Sequence, residues 1–166
     1  MKQLRQSWQL NCSTERYWRV FLDEEYSRAL YLDGFKYRDY RVLSSDASAR
    51  KLYIAPRLNL PGPVAKLVGD SFAYEQHGTL DRANSLWTWK MVQPGDVQGK
   101  KGIIASSGTI RVFDAGEGQC TRTDEVTIAA NIFGLGGLIE SSVEKELRAA
   151  WETEISFFQR WLKEKA

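Results

Sequence analysis

The last third of the chain constrains the fold most. Glycines cluster in Gly134-Leu135-Gly136-Gly137-Leu138-Ile139-Glu140, where a strand-like run ends. Residues 138–166 then contain neither proline nor glycine. This predicts one long C-terminal helix launched from a tight glycine joint. At about 100° per residue, Ile139, Val143, Leu147, Ala150, Phe157, Phe158 and Trp161 fall within one arc. Lys145, Arg148, Glu152, Gln159, Arg160 and Lys163 lie opposite. A wide apolar face that follows a series of strands must lie across a sheet.

Those strands are legible as period-two alternation. Leu4 to Asn11 alternates at Leu4, Trp8 and Leu10. Ser13 or Thr14 can cap a helix through Tyr17, Trp18, Val20, Phe21 and Leu22. Asp23-Glu24-Glu25 starts a second short helix, ended by Asp33-Gly34. Strand candidates follow at Tyr37–Ser45 and Arg50–Leu60, the latter with Leu52, Ile54, Leu58 and Leu60 on one face. Pro56 argues for an edge or a bulge in that run. Phe72–Asp81 and Ser85–Val92 read as one hairpin, Gly102–Asp114 and Gln119–Phe133 as another turned by Ala115-Gly116-Glu117-Gly118. No repeat or linker interrupts the pattern, so residues 1–166 are expected to form a single domain.

Composition excludes several classes. A net charge of +2 argues against a dedicated nucleic-acid binder. Arg38, Arg41, Arg50, Lys51 and Arg57 lie on neighbouring strand candidates and read either as scattered surface charge or as a patch for anionic headgroups. The N-terminal residues carry no apolar signal core, and no segment approaches the roughly 18 apolar residues of a membrane span. A cytoplasmic protein, peripheral to membranes at most, is expected. One histidine and two distant cysteines make a zinc site improbable, and no cofactor is expected. Aromatic content of 12% with six tryptophans fits either a well-filled core or a ligand cavity.

The element order is strand, two short helices, six antiparallel strands and a long helix. With the strand end Ala130-Asn131-Ile132-Phe133 and the glycine joint after it, this order resembles the helix-grip fold of the START-like superfamily. That group includes lipid-transfer domains, polyketide cyclases and the birch-pollen-allergen proteins. The run from Thr121-Arg122-Thr123 into the joint is most similar to the lipid- and sterol-handling branches and their uncharacterised bacterial members. The resemblance implies an α+β fold in which a seven-stranded curved antiparallel sheet wraps around the C-terminal helix. It implies an apolar cavity between them for a lipid, a sterol or another hydrophobic molecule, gated at one end of the sheet. It also implies that the first and last strands pair antiparallel, which brings Cys12 and Cys120 within reach of a disulfide. Two unrelated buried cysteines are the alternative.

Within this framework, Leu52, Ile54, Trp87, Trp89, Met91, Glu140, Val143 and Leu147 are the candidate ligand-binding residues. The apolar connection Pro61–Gly69 reads as a lid whose Val64, Leu67 and Val68 touch a membrane, or as a loop packed on the body. Glu154 sits among the apolar positions of the final helix, where a carboxylate is paired or protonated. It would contact a ligand headgroup or pair with a sheet arginine such as Arg111 or Arg122. Glu75 and His77 share a strand face and complete the candidate polar cavity groups. The leading expectation is a monomeric, non-enzymatic binder or transporter of a hydrophobic ligand. The alternatives are a cyclase- or dehydratase-type enzyme using Glu75, His77 or Glu154, and an interaction module with a filled cavity.

Overall fold

A computed structural model describes residues 1–93 and 102–165. Strand β1 (Lys2–Leu10) is followed by helices α1 (Thr14–Phe21) and α2 (Glu24–Ala29) and one wider helical turn, Leu30–Gly34. Strands β2 (Asp39–Ser45) and β3 (Ala49–Ala55) lead to a short helix, α3 (Gly62–Val68). Strands β4 (Tyr74–Asp81), β5 (Leu86–Val92), β6 (Ile104–Asp114) and β7 (Cys120–Ala130) precede the long helix α4 (Gly136–Glu164). The strands form one antiparallel sheet in the order β1-β7-β6-β5-β4-β3-β2. No helix among the described residues is long and apolar enough to cross a membrane.

Local chemistry explains the boundaries. Ser13 accepts the backbone N–H of Arg16 and caps α1, and Asp23 accepts that of Tyr26 and caps α2. The β4–β5 turn is closed by Asp81, which accepts from both the backbone and the side-chain amide of Asn84. Gly118 (φ 68°) in the β6–β7 turn and Gly134 (φ 79°) in the joint before α4 hold left-handed backbone that side-chain-bearing residues disfavour. The strand expected over Arg50–Leu60 stops at Ala55. Pro56 has no N–H for the ladder, so residues 56–60 peel away from the sheet. The strand expected to reach Phe133 stops at Ala130, and Ile132 belongs to the joint.

The concave face of the sheet holds α4 along its length. Near the joint, Ile139 packs with Val64 of α3 and Ile104 of β6. At mid-helix, Trp151 packs with Leu4, Val126 and Ile128, its ring edge-on to Trp8 at 5.4 Å. Toward the C-terminal end, Phe157, Phe158 and Leu162 enter the largest cluster, with Tyr17, Trp18, Phe21 and Tyr26 of the two short helices. Each such side chain contributes roughly 1.5–3 kcal/mol by leaving water. Two glycines make room for the indoles of β5. A Cβ on Gly78 would lie 1.9 Å from the Trp87 ring, and one on Gly108 would lie 2.5 Å from the Glu125 carbonyl and 3.0 Å from the Trp89 ring. Replacing Gly78 by alanine is expected to cost about 1–3 kcal/mol by overpacking, read as a lowered denaturant midpoint.

The β1–β7 seam matches the expected pairing of first and last strands. Leu10 stands opposite Cys120, and the Cys12 and Cys120 sulfurs lie 4.0 Å apart, both buried. A hydrogen bond from Cys120 lowers the Cys12 thiol against the opposing effect of burial, whereas the same contact and burial push Cys120 up. Treatment with diamide is expected to join the two, read as a loss of two hydrogens by intact-mass analysis and one cross-linked peptide after digestion. The closed loop is long, so the oxidised form should be more stable by up to about 4 kcal/mol on a chain-entropy basis. Two thiols that alkylate independently after oxidation would contradict this.

Candidate functional site

Two connected chambers lie between α4 and the concave face of the sheet. The outer one, about 110 Å³, is bounded by Pro56, Leu58, Leu60, Phe72, Met91 and Val143, with Glu146 the charged group on its wall. The inner one, about 130 Å³, reaches Tyr26, Ser27, Arg50, Gln76, Trp87, Arg122, Asp124 and Glu154. Tyr37, Tyr74, Trp89, Leu147 and Ala150 line both and form the waist. The cavity is thus apolar near α3 and polar at depth. Burial raises the phenols of Tyr31 and Tyr74 far above their ordinary range and that of Tyr37 to about 12, so these walls stay neutral.

The polar depth is organised by Arg122. Alternation along β7 places Cys120, Arg122, Asp124, Val126 and Ile128 on the inward face. Arg122 donates Nε to Asp124 Oδ1 and Nη2 to Oδ2, both at 2.7 Å. Its Nη1 reaches Glu154 Oε1 of α4 at 2.7 Å and its Nη2 reaches Oε2 at 3.2 Å. Trp8 and Tyr17 flank the guanidinium, with ring centroids at 5.7 and 5.9 Å. Burial opposes the charge on Arg122, but Asp124 and Glu154 more than offset it and hold its pKa above the ordinary value. Burial also raises Asp124, against the pull of Arg122. Removing one partner of such a cluster costs about 3–5 kcal/mol, because a buried charge is left alone.

Trp87, Trp89, Met91, Val143, Leu147 and Glu154 lie on the chamber walls. Leu52 and Ile54 occupy the same sheet face but pack with Tyr40 in a separate cluster outside the chambers. Glu140 holds the joint together instead: it accepts the Ala130 backbone N–H at 3.1 Å and pairs with the Met1 amine at 2.8 Å. The amine hydrogen bond, followed by the Ala130 N–H, lowers its carboxyl below the ordinary range. Glu75 and His77, expected as polar cavity groups, point away from the chambers. Tyr74 and Gln76 line them, so strand alternation sends 75 and 77 to the other face, where His77 Nε2 and Glu75 Oε2 pair at 2.7 Å. Val64 is fully buried, Val68 is half-buried and Leu67 is exposed.

The five basic residues seen as a patch do not form one surface. Arg41 pairs with Asp39, Arg38 donates to the Pro56 and Phe72 carbonyls, and Arg57 donates to that of Lys36. Arg50 is buried, on the inward face with Leu52 and Ile54. The sequence signal for this is weak and was missed: Arg50, Leu52 and Ile54 share one alternation, as Arg122 and Asp124 share that of Val126 and Ile128. The waist tyrosines Tyr37 and Tyr74 carried no comparable signal, because they flank strands whose registers only the folded sheet defines.

The architecture is the helix-grip fold of START-like proteins. The chain superposes on the Zhui aromatase/cyclase from a Streptomyces species with a TM-score of 0.71 at 12% identity, covering 98% of this chain and 93% of that one. A norcoclaurine synthase point mutant from Thalictrum flavum, in complex with a transition-state analogue, gives 0.68 at 15% identity, covering 99% and 96%. A START superfamily protein from Mycobacterium smegmatis gives 0.58 at 9% identity, covering 93% and 97%. At these identities the likeness establishes the fold alone. No curated protein matches the sequence. A family model does match over residues 5–162, and the chain belongs to that family, DUF2505, described as a protein family of unknown function.

Proposed function

We propose that this protein binds a hydrophobic small molecule between α4 and the concave sheet face. The observation that carries this reading is the two-chamber cavity, apolar where it approaches α3 and polar at its depth. Ligand sites combine such apolar walls with a few fixed polar groups. Its structural neighbours include enzymes that handle small organic molecules, among them the aromatase/cyclase and the norcoclaurine synthase, which supports a small-molecule partner here too. Burial of apolar ligand surface supplies the affinity at roughly 25 cal/mol per Å².

Volume selects among ligands. Pockets for drug-sized molecules measure roughly 300–1,000 Å³, whereas an apolar cavity near 150 Å³ accepts benzene. The chambers, at about 130 and 110 Å³, therefore suit a compact ring-bearing molecule. A lipid tail enters only when the outer wall moves. Helix α3 packs behind that wall through Val64, its one buried residue, beside Leu60 and Phe72, and Pro61 and Gly69 at φ 79° flank it as hinges. Leu67 stands exposed on α3, and Phe133 and Leu138 stand exposed at the joint, so this end of the molecule presents apolar groups to a membrane surface during loading. An enzymatic reading lacks comparable support. Both oxygens of Glu154 are held by Arg122, and Glu75 and His77 pair with each other outside the chambers.

Ala150 touches both chambers, so Ala150→Phe fills the waist. It is expected to weaken binding of a naphthalene-based fluorophore at least tenfold while leaving the thermal midpoint within a few degrees of wild type. Unchanged affinity would place binding elsewhere. The double substitution of Leu67 and Val68 by aspartate is expected to abolish co-sedimentation with liposomes and leave stability nearly unchanged. Val64→Asp should unfold the α3 contact and lower the midpoint.

A further inference from the structure

Among the described residues, Arg50 is a buried cation without a counter-charge. It is 4% exposed, and among the described residues no carboxylate lies in ion-pair range of it. Its two hydrogen bonds both leave from Nη1, to the Phe21 carbonyl at 3.1 Å and the Ser27 hydroxyl at 2.9 Å. Its Nε has no partner at all. The phenyl ring of Phe21 and the indole of Trp87 hold the guanidinium, with centroids at 5.1 and 5.7 Å. Opposite Arg50 on β4 stands Gly78, whose missing side chain lets Trp87 close over the site.

The contrast with Arg122 is physical. Arg122 spends its charge on Asp124 and Glu154, whereas Arg50, on the wall of the same inner chamber, meets only neutral groups among the described residues: a carbonyl, a hydroxyl and two aromatic rings. A buried guanidinium in this state is costly unless something else completes it. A second orphan lines the same chamber: the Tyr26 hydroxyl, also buried and without a partner. Among the described residues, a cation with no carboxylate beside it therefore lines the polar end of a cavity whose other end is apolar.

We propose that Arg50 is the anion receptor of the inner chamber and that the ligand is an amphipathic carboxylate. Its apolar ring or chain lies across the waist formed by Trp89 and Leu147, and its carboxylate sits against Nη2 of Arg50. Nη2 is the free end of the guanidinium, because Nη1 is occupied by Phe21 and Ser27 and Nε is buried away from the chamber. Its N–H groups donate to the oxygens of a carboxylate. The ligand thus supplies the counter-charge that the fold omits. This assignment rests on the cavity-binding reading above and narrows it to one chemical class.

The test compares two probes of similar shape, naphthoate and neutral naphthylmethanol, titrated into the intact protein by calorimetry. Wild type is expected to bind naphthoate at least tenfold more tightly than the alcohol. Arg50→Met should abolish that preference while the alcohol binds as before. Equal affinities in wild type would overturn the Arg50 assignment and leave the cavity reading standing. Preference retained in Arg50→Met would also overturn it. Failure of wild type to bind either probe would sink the cavity reading and this assignment with it. Should Arg50→Met not fold, arginine Nε–H resonances of the wild type decide the matter. Naphthoate should move that of Arg50 where the alcohol does not, and an unmoved resonance would refute the assignment.

Discussion

The Arg122 clamp sets the distance between helix and sheet. Hydrophobic packing alone would draw α4 down until no space remained, because every void forfeits dispersion contacts. A guanidinium chelated by Asp124 from its own strand and by Glu154 from the helix cannot be compressed. It fixes the standoff at mid-helix, with Trp151 packed beside it. The chambers survive on either side of the waist because this standoff exists. A uniformly apolar interior at these positions would be as stable or more so, since buried ion clusters are seldom better than well-packed hydrocarbon. The charges are therefore better understood as shaping the cavity than as adding stability.

Much of the architecture was written in patterns of two and of three-to-four. The joint at Gly134–Gly137, the alternation of Val126, Ile128 and Ala130, and the arc from Ile139 to Trp161 carried the element order and, with it, the fold. What escaped were positions where a charged residue occupies an apolar slot. Arg50 looked like one member of a basic cluster because its neighbours in sequence, Lys51 and Arg57, do face outward. Only its register with Leu52 and Ile54 marks it as inward, and periodicity becomes convincing for a charge only once the partner strands are known. Glu75 and His77 failed in the opposite direction. Their shared face was legible, but which face it was depended on the pairing of β4 with β3 and β5.

Fold and function separate cleanly here. The helix-grip frame places a concave sheet under a long helix, and this frame serves proteins of very different activity. What distinguishes this chain is the lining: a ring of tyrosines and Trp89 at the waist, one arginine whose charge is spent and one whose charge is not. The first arginine belongs to the scaffold. The second ties the Phe21 carbonyl at the end of α1 and the Ser27 hydroxyl of α2 to the sheet, and no described carboxylate balances its charge.

The placement of the clamp also makes α4 a lever. Its heaviest anchors gather at Trp151, Glu154 and the aromatic cluster beyond, while the stretch back to Ile139 borders the chambers and is tied to β1 by the Glu144–Lys2 pair at 2.7 Å. At about 1.5 Å per residue, the arm from Glu154 to Ile139 is roughly 22 Å long. A tilt of about 5° about the fulcrum at Arg122 would displace the Ile139 end by about 2 Å. Such a swing would widen the outer chamber near α3 and leave the charged depth almost still. It would require the Glu140–Met1 and Glu144–Lys2 pairs to follow the helix or part, so these two surface ties, and not the groups at depth, resist opening.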